Sequence, residues 1–289
     1  MKKNSVILKL AMLSTAFALA ISGIAISHNK TATEVDATQH TSNYALYSYS
    51  GTYYDSINFD ASTGLNGQLR QALTTLIYPK SWDTYSGSGE THLSTQLQSA
   101  DEDPTNSNNM VYLYTRDSVK KNAASSWNRE HVWPQSLSNG CWGESKGGTD
   151  VLHIRPTYNS TNSSRSNDKY CDVNKDTPRV YNGMTFGYGS GTKFEPLDSV
   201  KGDVARIIMY VYMHYSTRAG GNTKSYYGDL IIYYVMGTNE KDSWKLLRKW
   251  NAEDPVSEDE ITRNNYAYSV QNNRNPFIDH PTYADRIWG

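Results

Sequence analysis

The densest polar segment of the chain is Trp127-Asn128-Arg129-Glu130-His131-Val132-Trp133-Pro134-Gln135-Ser136. It sets a carboxylate beside an imidazole, between tryptophans. Downstream come Asp150-Val151-Leu152-His153-Ile154-Arg155-Pro156 and then Asn159-Ser160-Thr161-Asn162-Ser163-Ser164-Arg165-Ser166-Asn167. The Glu130 carboxylate and the Asn162 amide oxygen suit a hard divalent ion such as Mg²⁺ or Ca²⁺, and suit zinc or copper poorly. Two protein ligands leave most of an octahedral shell to water and to phosphate oxygens. His131 titrates near neutrality and can take a proton from water. The planar forks of Arg155 and Arg165 can meet phosphate. A base, a Lewis acid and a counter-charge are the components of phosphodiester hydrolysis. One constraint follows from strand geometry. Neighbouring side chains on a regular strand point to opposite faces. Glu130 and His131 can serve one site only if the backbone departs from a strand near residue 130, or if the site lies on the strand edge.

The elements that must position these residues follow from periodicity. Leu65, Leu69, Leu73 and Leu76 predict a helix within Tyr53 to Ile77. Residues 80–109, mostly Ser, Thr, Asp and Asn, predict loop. Val111–Thr115 predicts a strand, and Trp127–Trp133 a second one that stops at Pro134. Asp150–Arg155 is short and apolar, and Pro156 predicts a helix start running through Asn162. Val204, Ile207, Ile208, Val211 and Tyr215 form one apolar helical stripe. Asp229–Met236 and Asp242–Trp250 continue in that manner. Ser257 with Glu260 is a capping box opening a helix to about Ser269. The class is α+β, with few strands and many helices.

At the polar segments the chain also resembles a known family. Arg-Glu-His-Val-Trp-Pro-Gln-Ser, then Asp-x-x-His-Ile-Arg-Pro, then Asn-x-x-Arg-Ser-Asn is similar to the endonuclease I family of exported, non-specific nucleases with a ββα-metal (His-Me finger) site. Gly202-Asp203-Val204-Ala205-Arg206 and Asn273-Arg274-Asn275-Pro276-Phe277-Ile278-Asp279-His280-Pro281 are similar too, so the resemblance spans roughly residues 50–288. It implies a ββα-metal nuclease core with a small sheet and many surrounding helices. It implies that His131 is the general base and that Glu130 and Asn162 hold one Mg²⁺, with Mn²⁺ or Ca²⁺ as alternatives. Arg165 would sit beside the scissile phosphate or the product. Cleavage of DNA, RNA or both would leave a 5′-phosphate and a 3′-hydroxyl. Two departures bear on rate and substrate preference. Leu152 precedes His153 where some members carry a second histidine. A further arginine of some relatives has no clear counterpart, Lys146 being the nearest stand-in.

Each residue has a plainer alternative. Glu130 could hold another ligand rather than the ion. Asn162 could be a helix-capping or surface amide, and Arg165 a solvated arginine. His153 reads as a buried hydrogen-bonding histidine with no catalytic role, and Asp279 with His280 as part of a folded core. Asp172-Val173-Asn174-Lys175-Asp176 begins like a calcium loop, but Thr177 stands where glycine is needed and Gly183 where the bidentate glutamate is needed. No His-Glu-x-x-His is present, which removes the common zinc-protease pattern.

Composition bounds the rest. Of 289 residues, 20% are charged and 37% hydrophobic, which excludes wholesale disorder and fibrous classes. Lys2 and Lys3 followed by an uncharged run from Leu10 to Ser27 read as a signal peptide, residues 1–27. Residues 28–43 form a flexible leader, and 44–289 a single endonuclease I-like catalytic domain. Removing Lys2, Lys3 and Lys9 leaves 25 cations against 29 acids, so the mature chain has no global basic field. Nucleic acid must then be held through phosphate, by a local patch or a metal ion. The protein is expected to be exported, without stable membrane association after signal cleavage. Cys141 and Cys171 are candidates for one disulfide. The rival reading is a secreted, non-catalytic carbohydrate- or wall-binding module with its 23 tyrosines lining the surface. A metal-dependent phosphatase acting on small esters is disfavoured, because no second acidic metal cluster is present.

Overall fold

The computed structural model describes residues 49–64, 66–78, 81, 83–85, 92–122, 127–139, 147–216 and 229–289. The expected signal peptide and leader, Cys141 and Lys146 lie outside these residues. In chain order, a 3-10 turn at Thr52–Tyr54 leads to helices α1 (Gln68–Ile77) and α2 (Leu93–Ala100). Strands β1 (Glu102–Asp103), β2 (Asn106–Val111) and β3 (Ser118–Lys120) make a three-stranded antiparallel sheet. β4 (Trp127–His131) and β5 (Ile154–Tyr158) pair antiparallel, and β5 runs straight into α3 (Asn159–Arg165). β6 (Lys169–Tyr170), β7 (Pro178–Tyr181), β8 (Met184–Tyr188) and β9 (Lys193–Pro196) form a sheet in the order β6-β9-β8-β7. Helices α4 (Lys201–Tyr215), α5 (Ile232–Met236), α6 (Glu240–Glu253), α7 (Glu258–Gln271), α8 (Pro276–Asp279) and α9 (Tyr283–Trp288) complete the described chain. This is the expected α+β class, with small sheets and several helices.

α4 is the axis of the core. All fifteen of its residues are buried, so its apolar stripe is only part of its contact surface. Its charged groups are held by partners. Arg206 forms a bidentate pair with Glu260 (Nε–Oε1 2.6 Å, Nη2–Oε2 2.7 Å), and Glu260 also closes the capping box on Ser257 at the start of α7. Arg155 of β5 lies between Asp203 of α4 (3.2 Å) and Asp101 (2.9 Å). Gly202 has no space for a side chain, since a Cβ there would stand 2.0 Å from the Asp254 carbonyl oxygen.

Asp254 accepts the Gly202 N–H at 2.8 Å. Burial, followed by the Asp203 charge, pushes its carboxyl up to about 7, while Arg206 opposes the shift. A carboxyl raised in the folded state stabilises most below its unfolded value near pH 4, and that contribution is lost as pH rises through 7. Asp254→Asn is therefore expected to flatten the stability profile between pH 4 and 7. It should gain about 1–2 kcal/mol relative to the parent at pH 8, a figure reduced for solvent screening. Thermal unfolding at pH 5 and pH 8 checks this; an equal difference at both pH values would refute it.

The first and last described segments meet. Tyr54 Oη donates to Asp279 Oδ2 at 2.7 Å, and the Tyr49 N–H reaches the Asp279 carbonyl at 3.3 Å. Arg274 clamps the same carboxylate with Nε and Nη2 at 2.7 and 2.8 Å. Asp279 and His280 thus belong to the folded core, as the sequence suggested.

Several elements differ from expectation. The helix expected from Tyr53 begins only at Gln68, because the Asn58 and Ser62 side chains accept the Asp60 and Gln68 N–H groups in local turns and Gly64 takes a left-handed φ of +88°. The expected loop 80–109 contains α2, whose Leu93, Leu97 and Ala100 form a short buried stripe. The strand expected at Val111–Thr115 lies earlier, in β2. Tyr112, Leu113 and Tyr114 leave it to enter the core, before a turn with Arg116 at φ +58°. Pro156 starts no helix. It sits inside β5 opposite Arg129, where a two-stranded sheet tolerates a missing donor, and the helix begins at Asn159. The β6–β9 sheet was not expected. Its clearest signal is Asn182-Gly183, with φ of +49° and +79°, the hairpin turn joining β7 to β8. Cys171 carries a free thiol, so the structure holds no disulfide at that position.

Candidate active site

β4, β5 and α3 position the residues singled out by the sequence. The pairing of β4 with β5 is continuous, with Trp127 opposite Tyr158, Glu130 opposite Arg155 and His131 opposite Ile154. Glu130 and His131 therefore leave opposite faces of a regular strand. The irregular backbone that would put both on one face is not found at residue 130. Instead His131 is the last residue of β4, and the chain bends at Val132 and Trp133. A site used by both must lie around the end of this strand.

α3 packs against both strands. Thr157 and Thr161 share a hydroxyl hydrogen bond of 2.7 Å across the β5–α3 junction, and Thr161 Oγ1 donates to the Tyr158 carbonyl at 3.0 Å. These bonds fix the rotation of the helix, sending Arg165 inward to Glu130 (Nη1–Oε1 3.4 Å). Asn162 is one turn earlier and so shares that side of α3.

Glu130 is 1% exposed. Its Oε1 accepts from Tyr114 Oη at 2.6 Å, and Tyr114 Oη lies 2.8 Å from Tyr170 Oη. Oε2 has no hydrogen-bond partner among the described residues. Burial pushes the Glu130 carboxyl up, against the opposing pull of Arg165 and Tyr114. A buried carboxylate with an open oxygen, under-compensated by its neighbours, gains from a cation. The Asn162 amide is half-buried and has no side-chain partner among the described residues. An open carboxylate oxygen and an open amide oxygen beside one helix form a hard donor set that fits a magnesium-like ion.

Arg165 is buried. It donates to the carbonyls of Val132 and Ser166, both at 2.9 Å, and its guanidinium lies 4.4 Å from the Tyr170 ring centroid. Its Nε is buried without a hydrogen-bond partner among the described residues. Arg155, read from the sequence as a phosphate contact, is instead consumed by Asp101 and Asp203 and is 3% exposed.

His131 stands on the other face. Its ring is edge-on to His153, with centroids 5.8 Å apart, and tilted 6.3 Å from Tyr85. Burial, then the nearby His153 and Arg129, lowers its pKa to about 3, the Arg129 backbone pulling the other way. The imidazole is therefore neutral at pH 7 and has a lone pair to offer. His153 is fully buried. Its Nε2 accepts the Trp133 N–H at 3.0 Å, so its Nδ1–H donates to the Gly147 carbonyl at 2.7 Å. It is the hydrogen-bonding histidine that the sequence suggested.

Sequence reasoning missed Tyr114, Tyr170 and Tyr85. No local spacing links them to Glu130 or His131, and only their aromatic type offered a hint. Several of the tyrosines pack into the core rather than line a surface: Tyr54, Tyr112, Tyr114, Tyr170, Tyr210 and Tyr215 are all buried.

The chain is 36% identical over 249 residues to the extracellular ribonuclease of Bacillus amyloliquefaciens, covering 82% of this chain and 78% of that one. It is also 36% identical over 256 residues to the extracellular ribonuclease of Bacillus subtilis strain 168, covering 84% and 81%. Endonuclease-1 of Buchnera aphidicola subsp. Baizongia pistaciae is 26% identical over 181 residues, covering 55% and 65%. The protein is secreted, in keeping with its extracellular relatives. Residues 61–282 match Endonuclease I throughout β4, β5 and α3 as well as the helical second half, and the chain belongs to that family.

Proposed function

We propose that this protein is a secreted, metal-dependent, non-specific endonuclease that hydrolyses phosphodiester bonds of DNA, RNA or both to 5′-phosphate products. The observation that carries the reading is the buried Glu130 carboxylate with its open oxygen, packed on the helix that bears the open Asn162 amide. Glu130 and Asn162 would hold one Mg²⁺, with Mn²⁺ or Ca²⁺ as chemically similar substitutes. When bound, the ion supplies Lewis-acid charge stabilisation at the phosphate oxygens. The β4-β5-α3 unit then corresponds to a ββα-metal (His-Me finger) core.

The protein's own groups divide the remaining work. Neutral His131 takes a proton from the attacking water. An anionic phosphate beside it moves its basicity back towards the useful range. His153, locked by Trp133 and Gly147, holds the edge of the His131 ring. Arg165 keeps Glu130 charged and oriented, and its buried guanidinium adds positive charge beside the phosphate. Tyr114 fixes the Glu130 rotamer.

The test is incubation of the purified protein with plasmid and with RNA, with and without EDTA. Loss of nucleic acid that EDTA abolishes supports the reading; inertness towards both substrates refutes it. Binding through phosphate and sugar, on a chain with no global basic field, carries little base readout. Cleavage at many sites is therefore expected, giving a smear from a long random-sequence substrate. A few discrete bands would contradict the non-specific assignment.

A further inference from the structure

Strand alternation places Trp127, Arg129 and His131 on one face of β4, and all three are half-buried there. The Arg129 guanidinium lies 3.8 Å from the Tyr85 ring centroid and donates to the Tyr85 carbonyl at 2.6 Å, so its position is fixed. At the Trp127 end of this face opens a cleft of about 330 Å³. Its far wall is α2, through Ser94 and Gln98, one turn apart on the same helix side. Its floor includes Asn122 and Lys121, the latter paired with Glu102.

The chemistry of this lining is selective. Trp127 offers an aromatic surface. Ser94, Gln98 and Asn122 offer a hydroxyl and two amides without hydrogen-bond partners among the described residues. Arg129, which has no carboxylate partner among the described residues, gives the rim a positive character, and Lys121 lies beside it paired with Glu102. The cleft is concave and small, at the lower end of the range for small-molecule sites. Amide groups satisfy both donors and acceptors, which suits the mixed edge of a nucleobase. From Trp127 to His131 the strand advances about 13 Å, several times the ~3.4 Å step between stacked bases.

Resting on the nuclease reading above, we propose that this cleft is a subsite for one unpaired nucleobase of a single-stranded stretch of substrate, flanking the cleaved phosphate. The base stacks on Trp127, its edge meets Gln98 and Asn122, and Arg129 and Lys121 face the adjoining phosphates. A duplex keeps its bases paired and cannot fill the cleft, so the subsite favours single strands without reading a particular base.

The experiment compares a single-stranded oligonucleotide with the same sequence as a duplex, measuring KM and kcat for each. The variants are the double change Gln98→Ala with Asn122→Ala, which removes partly exposed, unpartnered amides, together with Trp127→Ala and Trp127→Phe. The expected result is a roughly ten-fold rise in KM for the single strand in the double variant and in Trp127→Ala. kcat and the duplex parameters should stay close to the parent values, and Trp127→Phe should recover most of the loss. An equal rise of KM on both substrates, or none on the single strand, overturns the subsite while leaving the nuclease assignment intact. A parent protein that cleaves neither substrate overturns the nuclease reading itself. Should Trp127→Ala fail to fold, the double variant on the surface of the cleft decides alone.

Discussion

His131→Ala is expected to lower the rate of nucleic-acid hydrolysis by about 10²–10⁴-fold, the usual contribution of a general base. The protein should remain folded, because His131 is half-buried at the end of β4 and its ring touches others only at the edge and at a tilt. Circular dichroism and thermal unfolding would establish folding, and the initial rate on RNA and on plasmid would read the loss. Added imidazole should restore part of the activity if it can enter the space left by the ring. A folded variant with near-parental rate would remove His131 from the reaction. It would also leave β4 without a proton acceptor at its end, since His153 has both ring nitrogens committed to the backbone.

The second large effect separates the ion's ligands from the base. Glu130→Gln is the informative change. Glu130→Ala would strand Arg165 as an unpaired buried cation, and breaking such a pair costs about 3–5 kcal/mol. Glutamine removes the same counter-charge from Arg165 but keeps the side-chain shape and an acceptor for Tyr114, so it disturbs the packing less, and thermal unfolding of the variant checks that it is folded. Glu130→Gln is expected to raise the half-saturating Mg²⁺ concentration by more than about ten-fold, as even outer-shell changes weaken metal sites by ~10–100-fold. Asn162→Ala should show the same effect with fuller recovery at high Mg²⁺, since an amide contributes less charge to the ion than a carboxylate does. His131→Ala should not recover with metal. A metal titration of the rate across the three variants decides the assignment. If His131→Ala responds to Mg²⁺ as strongly as Glu130→Gln, His131 is itself a ligand and the division of roles is wrong.

How much of this was legible from residues alone depends on how local each signal was. The Ser257–Glu260 capping box and the apolar stripe of α4 act over a few residues, and both elements appear where the pattern put them. The Glu130-His131 pair was visible for the same reason. The partners of these groups were not, because Tyr114 approaches Glu130 from sixteen residues upstream and Asp203 approaches Arg155 from forty-eight downstream. Arg155 and Arg165 look alike in sequence, yet one is locked between two aspartates and the other packs on Glu130. That difference exists only once α4 and α3 have docked. Pro156 misled for another reason. Its helix-starting tendency was weaker than the pairing of β5 with β4, and Asn159 became the start instead.

The clasp between Tyr54 and Asp279 joins positions 225 apart in the chain. Such a contact cannot form on a partial chain, and long loops delay closure. For a secreted protein this orders events in time. Until residue 279 has been made, its carboxylate is not there to receive Tyr54 and Arg274. The amino-terminal turn therefore closes on the core only once residue 279 has been made, which puts this contact among the last of the fold to form.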